Sequence, residues 1–276
     1  MNILISGATG FIGSYLTNNL CPHYNIFALY HRTVNKVQQN TNITYISTDE
    51  IFETTKKFDV VLMCHAYIGE NIQSLIEVNV IFTRKLILKF NNSYLIYLSS
   101  ISVYGKCSFV NKTSIASPLT PYGLSKLWGE KEIQKSSNYA IIRLSSDFGN
   151  SMKETTIIPK YINQALKFGK IEVWGNGSRI QNYIHLSDIL KMSIHLIKKR
   201  SNDFYLGVTT NQITNIDLAK IISKNLKADI FFIKDDFTPS FEVEKSVFKD
   251  EFYNFNFSNF ELEIKKYIIW KTKQFS

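Results

Sequence analysis

Ten residues near the N-terminus constrain this chain more than any other stretch. Ser6-Gly7-Ala8-Thr9-Gly10-Phe11-Ile12-Gly13-Ser14-Tyr15 directly follows the apolar run Ile3-Leu4-Ile5. Gly7, Gly10 and Gly13 recur at every third position, and Phe11 to Leu20 has helical periodicity. Glycine reaches φ > 0 in a tight turn and places no Cβ between backbone and ligand. A helix starting there points free N–H groups and the positive end of its dipole at a pyrophosphate. The next apolar run, Asn25 to Tyr30, comes at βαβ spacing, so the turn opens a crossover unit.

Short apolar runs and amphipathic stretches alternate through the first half. Strands are predicted at Ile3 to Ser6, Ile26 to Tyr30, Ile43 to Ser47, Val60 to Cys64, Tyr94 to Ser99 and Ala140 to Leu144. Helices are predicted between most of them, notably Asn71 to Phe90 and Tyr122 to Lys135. That order predicts an α/β fold, a parallel sheet with helices on both faces and strand C-terminal ends along one edge. After Gly149 the pattern loosens. Helices are predicted at Ile157 to Phe168, Ser187 to Lys199, Ile216 to Leu226 and Leu262 to Trp270, with short strands at Ile171 to Trp174, Tyr183-Ile184 and Phe204 to Val208. The expected division is 1–149 with 180–208 in one domain, and 150–179 with 209–276 in a smaller α+β lobe.

Composition narrows the class. The 276 residues are 45% hydrophobic and 20% charged, which disfavours disorder. No apolar run reaches the roughly 18 residues that span a bilayer. The first strand begins at Asn2, leaving no room for a signal peptide, so a cytoplasmic enzyme without a membrane partner is expected. Cys21, Cys64 and Cys107 are odd in number and far apart, which suits reduced thiols, and the five histidines show no metal-ligand spacing. The net charge of +9 lacks a basic stripe interleaved with aromatics, so no nucleic-acid partner is expected.

A second motif is Pro121-Tyr122-Gly123-Leu124-Ser125-Lys126. On a helix Tyr122 and Lys126 lie one turn apart on one face. A phenol with pKa near 10 must come down by about three pH units, worth about 4 kcal/mol, to act as a base near neutrality. An adjacent ammonium favours the phenolate. The fifth strand leads into Ser99-Ser100-Ile101-Ser102-Val103-Tyr104-Gly105, which puts a serine hydroxyl at the sheet edge.

With these motifs in this order, the chain resembles the extended short-chain dehydrogenase/reductases, the group of nucleotide-sugar epimerases, dehydratases and reductases. The resemblance also covers Asp59 to Tyr67, Asn79, Arg143 to Gly149 and Trp174 to Asp188. It implies a Rossmann-type doubly wound parallel sheet, a smaller C-terminal α+β substrate lobe, a nucleotide-sugar substrate and a homodimer. Tyr122 would be the acid/base, Lys126 would bind nicotinamide ribose and lower the tyrosine pKa, and Ser100 would hydrogen-bond the reacting oxygen. Gly7, Thr9, Gly10, Phe11, Ile12 and Gly13 would hold the dinucleotide, with Asp49 at the adenine and Ala66 and Tyr67 lining the cofactor.

Departures from the family pattern sharpen the expectation. Where 4,6-dehydratases carry Asp-Glu, this chain has Ile101 and Ser102, which cannot do acid/base work. After the second strand, Tyr30-His31-Arg32-Thr33 offers no carboxylate for an adenosine ribose. Arg32 suits a 2′-phosphate, so NADP(H) is expected over NAD(H). Gln181 and Asn182 replace a frequent Arg-Asp pair before Tyr183, with Arg179 two residues earlier to compensate, and Ser146 stands where an asparagine is common. Ser146, Arg179, Gln181 and Tyr183 are thus the expected substrate contacts. The reading favoured is NADPH-dependent reduction of a 4-keto nucleotide sugar. An NDP-sugar 4-epimerase is the alternative, and a non-catalytic dinucleotide-binding regulator a weaker one.

Overall fold

The structure is a computed structural model that describes residues 1–31, 37, 40–107, 109–254 and 256–275. Its strands are β1 (Asn2–Ser6), β2 (Asn25–Tyr30), β3 (Ile43–Ser47), β4 (Val60–Met63), β5 (Tyr94–Ser100), β6 (Phe109–Val110) and β7 (Tyr139–Leu144). Then follow β8 (Ser146–Phe148), β9 (Lys170–Trp174), β10 (Ile180–His185), β11 (Asp203–Gly207), β12 (Gln212–Thr214), β13 (Asp229–Ile233) and β14 (Glu242–Val243). The helices are α1 (Phe11–Leu20), α2 (Ile72–Ile76), α3 (Thr83–Lys89), α4 (Pro121–Ile133), α5 (Ile157–Phe168), α6 (Leu186–Lys199), α7 (Asn215–Leu226) and α8 (Phe260–Phe275).

Two compact units emerge. The first comprises Met1–Lys106, Ser114–Leu144 and Leu190–Gly207. Its sheet has seven strands in the order β11-β7-β5-β4-β1-β2-β3, all paired in parallel. The order reverses between β1 and β4, the switch point of a doubly wound sheet. Strands buried on both faces must be apolar throughout. Accordingly Ile3 to Ile5, Val60 to Met63, Leu95 to Tyr97 and Ala140 to Ile142 have no exposed surface. On one face, Leu4, Val61, Met63, Leu95, Tyr97 and Ile141 form a core with Leu86 and Ile87 of α3 and Ile133 of α4.

The predicted helix over 71–90 holds a π turn at Glu77–Phe82, between α2 and α3. Asn71 caps its start, its side chain accepting from the Ser74 N–H at 2.9 Å. The widened turn lets Asn79 face inward, fully buried, where backbone and side-chain partners take both ends of its amide.

The second unit comprises Cys107–Thr113, Ser145–Ile189 and Val208–Ser276. It has three small sheets: β12-β10-β8, β13-β9 and β14-β6. The boundaries fall at Leu144 and Leu190, where the sequence suggested 149 and 180. The reason is pairing: β8 and β10 hydrogen-bond to each other, and β10 to β12, while β11 joins β7 in the large sheet. The core of this unit includes Tyr183 stacked on Phe260 at 5.0 Å, with Phe148 edge-on to both rings.

Candidate functional site

Strand β1 runs straight into the glycine turn. Gly7 has φ +66°, and a Cβ on it would lie 2.8 Å from the backbone of His65. The Gly10 N–H donates to the Gly7 carbonyl at 2.9 Å, which closes the turn. A Cβ on Gly13 would lie 2.0 Å from that carbonyl, so only glycine lets α1 approach this closely. Gly10 caps α1 without a side-chain bond. Phe11, Ile12 and Gly13 form the first helical turn, whose N–H groups have no intrahelical acceptor. Thr9 is half-buried beside them.

Other cofactor candidates lie in the same unit. Asp49 is exposed in the turn after β3, and Ala66 is exposed after β4. Tyr67 is held by Asn79, whose Oδ1 accepts from the Tyr67 N–H at 2.8 Å while its Nδ2 donates to the Tyr67 carbonyl at 2.9 Å. The same Nδ2 donates to Ser125 Oγ at 2.9 Å, tying this loop to the Tyr122–Lys126 segment. His65 bridges Ser6 Oγ at 2.6 Å and Thr83 Oγ1 at 3.0 Å. Burial, then the charge of Lys126, pushes His65 down to about 3, so the ring is neutral. Arg32 lies outside the described residues.

Helix α4 starts where the sequence says it must. Thr120 caps it by accepting from the Gly123 N–H at 3.0 Å, and Pro121 occupies the first turn. A Cβ on Gly123 would lie 2.6 Å from the Ser102 carbonyl. That close approach presses the start of α4 against the 3₁₀ turn Ile101–Tyr104 that follows Ser100. Ser100 Oγ accepts from Ser102 N–H at 3.2 Å and lies 3.0 Å from Ser102 Oγ. The structure therefore places Ser100, Tyr122 and Lys126 on two elements in direct contact.

Lys126 is 1% exposed, and among the described residues its Nζ makes no hydrogen bond. It sits 4.0 Å from the centroid of the Tyr97 ring. Burial pushes this ammonium down to about 7, with Glu130 and Cys64 pulling the other way.

Sequence reasoning missed the network beside it. Glu130 lies one turn beyond Lys126 on α4. Its carboxylate accepts from Ser99 Oγ at 2.5 Å and from Arg143 Nε at 3.0 Å and Nη2 at 2.8 Å. Arg143 Nη1 donates to the Tyr104 hydroxyl at 2.6 Å. Burial alone would lower the Arg143 guanidinium, but Glu130 and then Tyr104 hold it above its ordinary range. The available signal was an acid at i+4 from Lys126, facing the sheet.

The substrate candidates all belong to the second unit. Ser146 pairs with Tyr183 across β8 and β10. Arg179 Nε donates to the Pro239 carbonyl at 3.3 Å, and Gln181 Nε2 to Asn215 Oδ1 at 3.1 Å. Tyr183 is 2% exposed in the core stack, and burial raises its phenol. Among the described residues no group of His, Cys, Asp and Glu could hold a metal ion, and no helix is long and apolar enough to cross a membrane.

A Methanocaldococcus jannaschii protein named "Putative UDP-glucose 4-epimerase" is 26% identical over 255 residues, covering 83% of this chain and 80% of that one. A Dictyostelium discoideum dTDP-D-glucose 4,6-dehydratase is 29% identical over 265 residues, covering 80% of this chain and 61% of that longer one. The structure of a UDP-N-acetylglucosamine 4-epimerase from Methanobrevibacter ruminantium M1, in complex with UDP-N-acetylmuramic acid, superposes with a TM-score of 0.88. It is 21% identical, with 99% of this chain and 98% of that one covered. The profile of the NAD dependent epimerase/dehydratase family matches residues 3–207, the span that holds the glycine turn, the serine-bearing sheet edge and the Tyr122–Lys126 helix, and the chain belongs to that family.

Proposed function

We propose that this enzyme is a nucleotide-sugar 4-epimerase that uses Ser100, Tyr122 and Lys126. The observation that carries the reading is Lys126. A buried ammonium without a hydrogen-bond partner is costly unless a ligand completes it. The ribose hydroxyls of a nicotinamide dinucleotide are such a ligand. The glycine turn, with Thr9 and the first-turn N–H groups of Phe11, Ile12 and Gly13, fits its pyrophosphate. Asp49, Ala66 and Tyr67 fit the remainder.

The dinucleotide, when bound, supplies the acceptor and donor of hydride. Tyr122 takes the proton from the sugar C4 hydroxyl and later returns one. Ser100 holds that oxygen by a hydrogen bond. Lys126 favours the tyrosine's ionised form. Ile101 and Ser102 offer no acid or base for loss of water, which argues against following the dehydratase names among the relatives. Ser146, Arg179 and Gln181 are proposed for the nucleotide-sugar contacts, and Tyr183 for supporting Ser146.

The 4-epimerase name of the Methanocaldococcus jannaschii relative supports the epimerase, which the sequence alone ranks second. NADPH-dependent reduction of a 4-keto sugar stays as the second reading, because Tyr30-His31-Arg32-Thr33 holds no carboxylate and favours NADP(H). A cytoplasmic homodimer completes the proposal. Leu88 on α3 and Leu124 and Trp128 on α4 are exposed apolar groups on neighbouring helices that suit a second copy.

The deciding assay offers UDP-glucose and UDP-N-acetylglucosamine and resolves the epimers by chromatography. In parallel, NADPH absorbance is followed with a 4-keto nucleotide sugar. Epimer interconversion without net nicotinamide turnover supports the first reading. Stoichiometric NADPH consumption promotes the second, and neither activity, across a panel of nucleotide sugars, leaves the regulator.

A further inference from the structure

The Lys126 ammonium rests on an aromatic face. Its Nζ lies 4.0 Å from the Tyr97 ring centroid, and Tyr97 is fully buried. The titratable groups acting on this pair are Cys64 and His65 after β4, and Tyr122 and Glu130 on α4. Glu130 is the one carboxylate among them, and its oxygens are occupied by Ser99 and Arg143. A carboxylate partner would consume the ammonium's donors. An aromatic face stabilises the charge through its quadrupole without a hydrogen-bond acceptor that takes up the donors.

The ring has a made seat. A Cβ at Gly129 would lie 2.2 Å from the Tyr97 hydroxyl oxygen, 2.8 Å from its Cζ and 2.9 Å from the Asn79 carbonyl oxygen, so this glycine admits both the ring and the π turn. Glycine inside a helix weakens it relative to alanine, so a glycine at this place has a packing reason.

We propose that Tyr97 is a positioning residue, whose ring face, seated by Gly129, keeps the Lys126 ammonium charged with its donors free for the dinucleotide. The inference rests on the reading of Lys126 given above. Its test is titration of the protein with NADH and NADPH across pH, for Tyr97→Phe, Tyr97→Leu and Gly129→Ala, each also combined with Lys126→Met. Tyr97→Phe keeps the ring and should change affinity by less than about twofold. Tyr97→Leu should weaken binding up to about thirty-fold, the range of a desolvated cation–π contact. Its affinity should also fall at lower pH than in the unmodified protein, because the unsupported ammonium gives up its proton sooner. In the Lys126→Met background, Tyr97→Leu should add nothing. Gly129→Ala crowds both the ring and the Asn79 carbonyl, and a pH-shifted weakening that vanishes in the Lys126→Met background should reproduce the leucine result if that variant fails to fold.

Equal damage by Tyr97→Leu with and without Lys126 would reduce Tyr97 to packing and overturn the proposal. So would a Tyr97→Phe variant as weak as Tyr97→Leu. If Lys126→Met alone leaves affinity unchanged, the assignment of Lys126 fails first, and that outcome is separate from the others.

Discussion

Arg143 and Lys126 are both buried in the first unit, and the chain treats them in opposite ways. Arg143 donates from Nε and Nη2 to Glu130 and from Nη1 to Tyr104, and its guanidinium stacks over the Tyr104 and Phe204 rings. Lys126 has the Tyr97 face and, among the described residues, no hydrogen bond. Glu130 is four residues from Lys126 on the same helix, yet its oxygens serve Arg143 and Ser99. A buried charge that is satisfied internally belongs to the fold. One left without a hydrogen-bond partner marks a place for a ligand.

The largest expected effects lie at the satisfied pair and at Tyr122, which shares α4 with Lys126. Arg143→Met and Glu130→Gln should each destabilise the protein by about 3–5 kcal/mol, because each strands its buried partner. The measurement is the urea midpoint at unchanged m-value. Tyr122→Phe should lower turnover about 10²–10⁴-fold through lost proton transfer and leave that midpoint in place. A stable Arg143→Met variant with a specific loss of dinucleotide binding would reverse the assignment of the two cations.

Much of the fold that holds both cations was legible in the sequence, for physical reasons. The runs Val60 to Met63 and Tyr94 to Ser100 are apolar because the sheet is covered on both faces, and that signal is strong. Helix α5 fell on Ile157 to Phe168 because its apolar stripe is sharp. The one-turn spacing of Tyr122 and Lys126 needed only helix geometry. The rest was hidden. Strand β8 is the three-residue Ser-Asp-Phe, too short for an alternation to show, and β13 leaves Phe231 and Phe232 exposed. The π turn at 77–82 looks like ordinary helix until the partners of Asn79 are known. The Glu130–Arg143 pair joins residues 13 apart on two different elements, and periodicity within either one cannot reveal it.

A smaller, sharper effect is expected at Lys126. Lys126→Met removes a desolvated cation without stranding a partner carboxylate, so stability should hold or rise. Dinucleotide affinity should fall about ten- to hundred-fold, since hydrogen bonds from a charged group contribute about 1.5–3 kcal/mol. The pH dependence has a definite sign. Burial lowers the folded-state pKa of Lys126 to about 7, whereas the unfolded lysine keeps a value of about 10.4. Between those values the unfolded chain holds a proton that the folded one has released. Stability therefore climbs as pH rises through that window, and below about 7 the cost of the buried charge is fully present. Urea midpoints of Lys126→Met from pH 6 to 9 should lack that part of the climb. If both proteins show the same slope, the ammonium is solvated and the contrast with Arg143 disappears.

The smallest expected effect supplies the control. Thr120 caps α4 by accepting from the Gly123 N–H and touches neither cation through that bond. Thr120→Ala should cost about 1 kcal/mol, the usual loss for a helix N-cap. The change frays the helix that carries both Lys126 and Glu130 without altering any charge. Dinucleotide affinity should stay within about twofold, because a folded chain still presents the ammonium in its place. A weakened affinity comparable to that of Lys126→Met would show that the binding loss follows from helix order and owes nothing to the free donors of Lys126. A lowered urea midpoint with intact affinity separates the two, and assigns the loss in Lys126→Met to the ammonium itself.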